Sequence, residues 1–405
     1  MLRLRRATVL VAGPTGAMEQ RLAIDVAGRR RTAIADVALV GASQAGDEVV
    51  VNVEAVELGL GSGGADVVHV NLTRGLEGDG TPGAHVMKLN YTSLQHAVKP
   101  VEEGDPDATP AAPQLPIGRP VAVLALHGQL APLAWAFAQA QPGAKLGYVQ
   151  TAGGALPGGH SCVVRDLRDG GLLAGHLTAG PAFGGADGDA ITTAAALHHG
   201  LTQLGWDAVV AGPGPGILGS GSALGHGGLQ ALDSAHTALA LGCETLLVAR
   251  MSSADPRARH RGISHHTRTV LDLLLAPVRV AVPAGHAIAE DARAGPAAGT
   301  RGGGCGSVAA RPDGGVGPSP SVDSDARASD GGERTGEDAG DAAAPGGAAP
   351  RPVRHDWLTR EADGAGYARS GLPSRSMGRE DPLFFAAALA AGTALAEMAG
   401  VATPA

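Results

Sequence analysis

Apolar residues fall along this chain in two rhythms. Up to about residue 95 they come in short β-branched runs separated by glycine turns: Arg6–Val11, Gln20–Val26, Arg31–Val37 and Asp47–Val53. Such runs predict short strands, and together a small β-rich barrel or sandwich over 1–98. Residues 99–118 are rich in Pro, Asp and Ala and read as a loose linker. From 119 to 290 uninterrupted apolar runs alternate with helix-patterned segments. Strands are expected at Val121–Leu126, Leu146–Gln150, Leu172–Thr178, Ala208–Ala211, Thr245–Arg250 and Val278–Val282. Helices are expected at Leu130–Gln139, Asp189–Leu204, Gly227–Leu241 and His265–Leu275. Apolar strands alternating with helices predict an α/β domain, a mostly parallel Rossmann-like sheet covered by helices on both faces.

Residues 291–350 carry almost no large apolar side chains. They cannot bury enough surface to offset chain ordering, so a disordered insertion is expected. Residues 351–405 return to an ordered pattern, with Asp381-Pro382 as N-cap and first position of a terminal helix packed on the α/β domain.

Composition narrows the classes. Aromatic residues make up 2% of the 405 positions, so the core must be built from Ala, Val and Leu. The formal net charge is -8. Seven acids and two arginines between Asp323 and Asp341 supply most of it, which leaves the folded part near neutral. A nucleic-acid binder needs a basic face or stacking aromatics, and neither is present. Cys162, Cys243 and Cys305 are far apart, with no Cys-x-x-Cys pair, so neither a disulfide framework nor a zinc knuckle is indicated. The apolar run Leu383–Ala396 is shorter than a bilayer span and no signal peptide is evident, so no membrane contact and a cytoplasmic location are expected.

In an open parallel sheet, ligands bind beyond the carboxyl ends of the strands. The unusual residues gather there: His127 after the first strand, Gly153 and Gly154 after the second, a glycine loop over Gly212–Gly228 after the fourth, and Ser252–His266 after the fifth. Gly214, Gly216 and Gly219 form a G-x-G-x-x-G match. Two prolines and a delayed helix make it a poor dinucleotide signature, so an anion-hugging loop including Ser220 is the better reading. Ser220, Ser222 and Ser252 lie in no G-x-S-x-G elbow, which disfavours an acyl-enzyme. Asp255, Arg257, Arg259, His260, Arg261, His265 and His266 crowd one loop. Ser264 would cap the next helix, whose positive end disfavours imidazolium and attracts anions. Neighbours His265 and His266 should point in different directions. A metal would therefore need His226, His260, Asp255 or His127 to converge, and no metal set is assigned.

Several strings resemble the bacterial family known only as domain of unknown function 3866. They are Tyr91–Gln95, Gly153–Pro157, Ala182–Gly185, Gly212–Gly228, Asp255–Thr267 and Ser376–Arg379. The resemblance implies no activity. After Gly185 the chain departs from the family pattern, leaving Asp187 or Asp189 as the relevant carboxylate.

The expected function is binding of a small anionic or phosphorylated metabolite. His226, Asp255, His260 and His265 would serve as acid–base groups. His127, His266, Arg257, Arg259, Arg261 and the glycines would hold the ligand. Hydrolysis or group transfer suits these groups better than hydride transfer. The alternative is a non-catalytic metabolite-sensing or structural module. The cofactor is unknown, the partner is a small molecule, and self-association is left open.

Overall fold

The protein is described here by a computed structural model that covers residues 1–16, 18–60, 63–104, 107–286 and 353–401. The stretch expected to be disordered, 291–350, lies outside the described residues, as does Cys305.

Five strands form a closed barrel: β1 Leu4–Ala12, β2 Glu19–Val26, β3 Arg29–Asp36, β4 Glu48–Asn52 and β5 Asp66–Asn71. Their order is β1-β2-β3-β5-β4. β1 closes antiparallel on β4, and β5 lies parallel to β3. Alternate residues point inward, so Val9, Leu22, Ile24, Ala33, Ala35, Val49, Val51 and Val68 fill a core of small side chains. β5 was not foreseen; its apolar run is broken by His69.

A hairpin of β6 Val86–Lys88 and β7 His96–Val98 follows. Lys88 pins it to the next domain. Its buried ammonium donates to the carbonyls of Gly180, Ala182 and Ala190 at 2.7, 2.8 and 2.7 Å, which uses all three protons. The segment 99–118 is not loose throughout. Val101 N–H donates to Asp189 C=O and Ile117 N–H to Leu241 C=O, because main chain running beside a sheet must satisfy its polar groups.

The second sheet has eight strands, all parallel: β8 Pro120–Leu124, β9 Leu146–Thr151, β10 Gly175–Ala179, β11 Asp189–Ala190, β12 Ala208–Pro213, β13 Glu244–Val248, β16 Arg279–Pro283 and β17 Asp356–Arg360. The order is β11-β10-β9-β12-β8-β13-β16-β17. Two short strands, β14 Met251–Ser252 and β15 Gly262–Ile263, form a separate ribbon. The barrel followed by a helix-covered parallel sheet is the architecture the apolar rhythms predict.

The central strands bury both faces. Val121, Val123, Val149, Leu177, Val209 and Ala211 face one layer, with the helices Thr193–His198, Gln230–Ala240 and His265–Leu273. Ala122, Leu124, Tyr148, Val210, Leu246 and Val248 face the other, with Leu130–Ala140, Cys162–Asp169 and Pro382–Val401. Trp206 fills the first layer, its indole lying against Gly147, Gly175 and Gly200. The helix expected over Asp189–Leu204 is shorter. Asp189–Ala190 pairs with β10, and a wide turn at His199–Gln203 carries the chain to Trp206. β17 adds an edge strand and the 20-residue terminal helix closes the second layer against Leu130–Ala140. That helix is long and apolar enough to cross a bilayer, yet most of it is buried inside the protein.

Candidate functional site

The loop after β13 is built around Arg250. Its N–H donates to Thr267 Oγ1, and its C=O accepts from Ser264 N–H. The β14–β15 ribbon then folds residues 253–261 back over the sheet edge. Ser264 caps the His265–Leu273 helix, its Oγ accepting from His266 N–H and lying 2.7 Å from His260 Nδ1. His226 arrives from the end of the glycine loop, paired there with Gly219.

Four imidazoles meet here. His226 stacks on His266, with ring centroids 3.7 Å apart and planes 13° off parallel. His265 lies 4.4 Å from His266 and 4.8 Å from His260, and His260 lies 5.0 Å from His266. His265 and His266 do not diverge as their adjacency suggests. Neighbouring Cβ atoms separate at a helix start, but both rings swing back onto His226. One ring nitrogen from each of His226, His265 and His266 falls within 4.8 Å of the others, so these three could hold a metal ion.

Burial keeps this cluster neutral. His266 is pulled down to about 2, first by burial, then by His226 and Arg250. His260 is held at about 4 by burial, with Arg250 and Arg257 adding to it. His226 and His265 are lowered too, chiefly by burial, then by His265 and Arg259 respectively. Both ring nitrogens of His226 are buried without a hydrogen-bond partner; the Ala223 carbonyl lies near the ring but outside bonding geometry. Leaving such groups unsatisfied costs about 1–3 kcal/mol.

Positive charge surrounds the rings. Arg250, a residue the sequence reading passed over as the end of a strand, is 3% exposed. It donates to His266 Nδ1 at 2.9 Å and to Asp255 Oδ2 at 3.4 Å, and its Nε is buried and unpartnered. Asp255 is not free for acid–base work. Arg257 grips both its oxygens, at 2.9 and 2.8 Å, and holds the carboxyl far below its usual range. Arg261 donates to the Asp255 carbonyl, and Arg259 is exposed close to His265. Asp381 stands at the N-cap position of the terminal helix, which begins at Pro382 as expected, and its carboxylate anchors the loop from the far end of the chain, accepting from Ser252 Oγ and from Ser253 N–H.

Gly153 packs on Gly227, and Gly154 on Gly214, so closely that a Cβ at either would strike backbone oxygen. These residues weld the loops after β9 and β12 to each other. Gly216 is an exposed left-handed turn, and Ser220 Oγ accepts from Ser222 N–H within the loop itself. Asp187 and Asp189 both serve the β10 edge, accepting from His176 N–H and Thr178 Oγ1.

His127 leaves the cluster for the other layer. Tyr148 O–H donates to the carbonyls of Gly212 and Pro213, so His127 Nδ1–H meets the tyrosine oxygen at 3.3 Å and Nε2 accepts from Ser161 Oγ at 2.8 Å. His176 stacks on Tyr148, its centroid 5.3 Å away. Burial lowers His127 to about 4 and His176 to about 3. An unfolded histidine titrates near 6.5, so protons favour the unfolded chain between these values. Stability is full above pH 6.5 and should fall, by on the order of a few kcal/mol per residue, as pH drops towards 4 and 3. Melting temperatures between pH 7.5 and 4.5 should show the slope. His176→Phe keeps the stack and should flatten it; an equally steep profile in that variant would contradict the assignment.

A cavity of about 400 Å³ lies elsewhere, between Gly13–Gly16, Met18 and Arg165 where the barrel meets the sheet domain, and contains no histidine. No curated protein and no solved structure matches the chain. A family profile does match residues 32–300, more than half its length and all four imidazoles included, so the chain belongs to the family described as protein of unknown function (DUF3866).

Proposed function

We propose that the histidine–arginine cluster binds a small anionic or phosphorylated metabolite, with an imidazole as proton donor or acceptor for hydrolysis or group transfer. One observation carries the reading: Arg250 Nε and both nitrogens of His226 are buried without partners beside a surplus of guanidinium over carboxylate. Buried donors and acceptors are nearly always satisfied, and an oxyanion would accept from Arg250 Nε–H and from the one N–H of neutral His226. Neutral rings beside fixed positive charge add proton-transfer capacity without repelling the anion through a missing counter-charge. His260, oriented by Ser264, and His265, half-exposed at the helix start, are the acid–base candidates.

The test is a thermal-shift screen with inorganic phosphate and phosphorylated metabolites in the presence of chelator. Arg259→Ala and His265→Ala should each weaken the best ligand by roughly 10- to 100-fold, the worth of one charge-assisted hydrogen bond. The unliganded melting temperature should hardly change, since both side chains are partly or fully exposed. Ligand-induced stabilisation that survives both substitutions would refute the site.

A further inference from the structure

We propose that His226, His265 and His266 form a three-histidine site for a divalent cation of the zinc class, its fourth position taking an oxygen of the bound anion. Only that fourth ligand rests on the anion reading. The three nitrogens lie within 4.8 Å of one another. A tetrahedral ion about 2.1 Å from each nitrogen would set them roughly 3.4 Å apart, so side-chain rotation must tighten the triangle and open the His226–His266 stack, whose parallel rings direct their lone pairs past one another. His226 supplies the second observation. It is 7% exposed, and neither ring nitrogen has a partner. Coordination would occupy one nitrogen, and the rotation that brings it to the ion would have to carry the other N–H within reach of the nearby Ala223 carbonyl, the kind of partner metal-bound imidazoles require. Three imidazoles without a carboxylate favour zinc, copper, nickel or iron over magnesium and calcium.

Arg250 sets the terms of entry. It donates to His266 Nδ1, so the neutral ring carries its proton on Nε2. Binding through Nε2 moves that proton to Nδ1 and turns Arg250 away. Asp255, 3.4 Å from the guanidinium, is there to receive it. The remaining arginines lower the affinity for a bare ion, whose fourth position water fills; the ligand oxygen, when bound, answers that charge. Three protein ligands with one open position is the arrangement of catalytic rather than structural zinc.

The experiment uses the full chain, free of any histidine tag, in a buffer without phosphate or chelator. Cobalt(II) alone is titrated and followed by its visible absorption, then displaced with zinc. One equivalent should bind with the intense spectrum of a tetrahedral ion. His226→Ala and His265→Ala should each lose at least about 100-fold in affinity. His265 is the more exposed of the two, so its variant keeps the test valid if His226→Ala fails to fold. Absence of stoichiometric cobalt or zinc binding, or equal binding by the His265 variant, would overturn the proposal. Phosphate-induced stabilisation measured in chelator reports on the anion reading alone, so the two can fail separately.

Discussion

Gly147→Ala should strongly destabilise the sheet domain. A Cβ at this position would lie 1.8 Å from the indole of Trp206. The indole cannot retreat, because Gly200 and Gly175 close its other sides at 2.4 and 2.6 Å from their own added Cβ atoms. β9, which carries Gly147, is held between β10 and β12, so the backbone has no room to yield either. Overpacking of a core costs about 1–3 kcal/mol where the surroundings relax, and more where they cannot. A loss of at least about 3 kcal/mol is expected by chemical denaturation, a large share of a typical domain's stability. Trp206→Leu in the same chain should return part of it. A wild-type denaturation midpoint in the alanine variant would show that the indole is not wedged as described.

Gly227→Ala should sharply weaken ligand binding by forcing apart the loops that place His226. Its Cβ would lie 1.9 Å from the Gly153 carbonyl oxygen, and Gly153 itself sits at φ +102°, where other residues are strained. This contact is the weld between the loops after β9 and β12, one residue from His226. Spreading it moves the stacked imidazole away from His266. Phosphate-induced thermal stabilisation should fall by at least about 100-fold in apparent affinity, since misplacing one buried group disrupts its partners as well. Gly221→Ala, in open space on the same loop, is the control and should bind as the parent does. Equal stabilisation of the two variants would mean that His226 does not depend on the weld.

The sheet domain was legible in sequence because its strands are buried on both faces and read as unbroken apolar runs. The barrel was legible from the alternation of β2, β3 and β4. What escaped has physical reasons. β17 is an edge strand whose residues are only half-buried, and Asp356 and Arg360 give it no apolar signature. Arg250 closes an apolar run, and nothing local reveals that a charged side chain at 3% exposure lies under the histidines. Asp381 was legible as the position that caps the terminal helix, but not that its carboxylate is claimed by Ser252 and Ser253, 129 and 128 positions away in sequence. The crowding of His260, His265 and His266 was visible as spacing. His127 went to the other layer because Tyr148 and Ser161 offer both its nitrogens a partner there.

The family match begins at residue 32, inside β3, and ends at residue 300, before β17 and Asp381. A fragment cut to those limits would lose two staves of the barrel. It would also keep all four imidazoles of the cluster while discarding the tether that holds their loop in place. The working unit is longer at both ends than the stretch by which its kin are recognised, and recombinant fragments have to respect the longer boundaries.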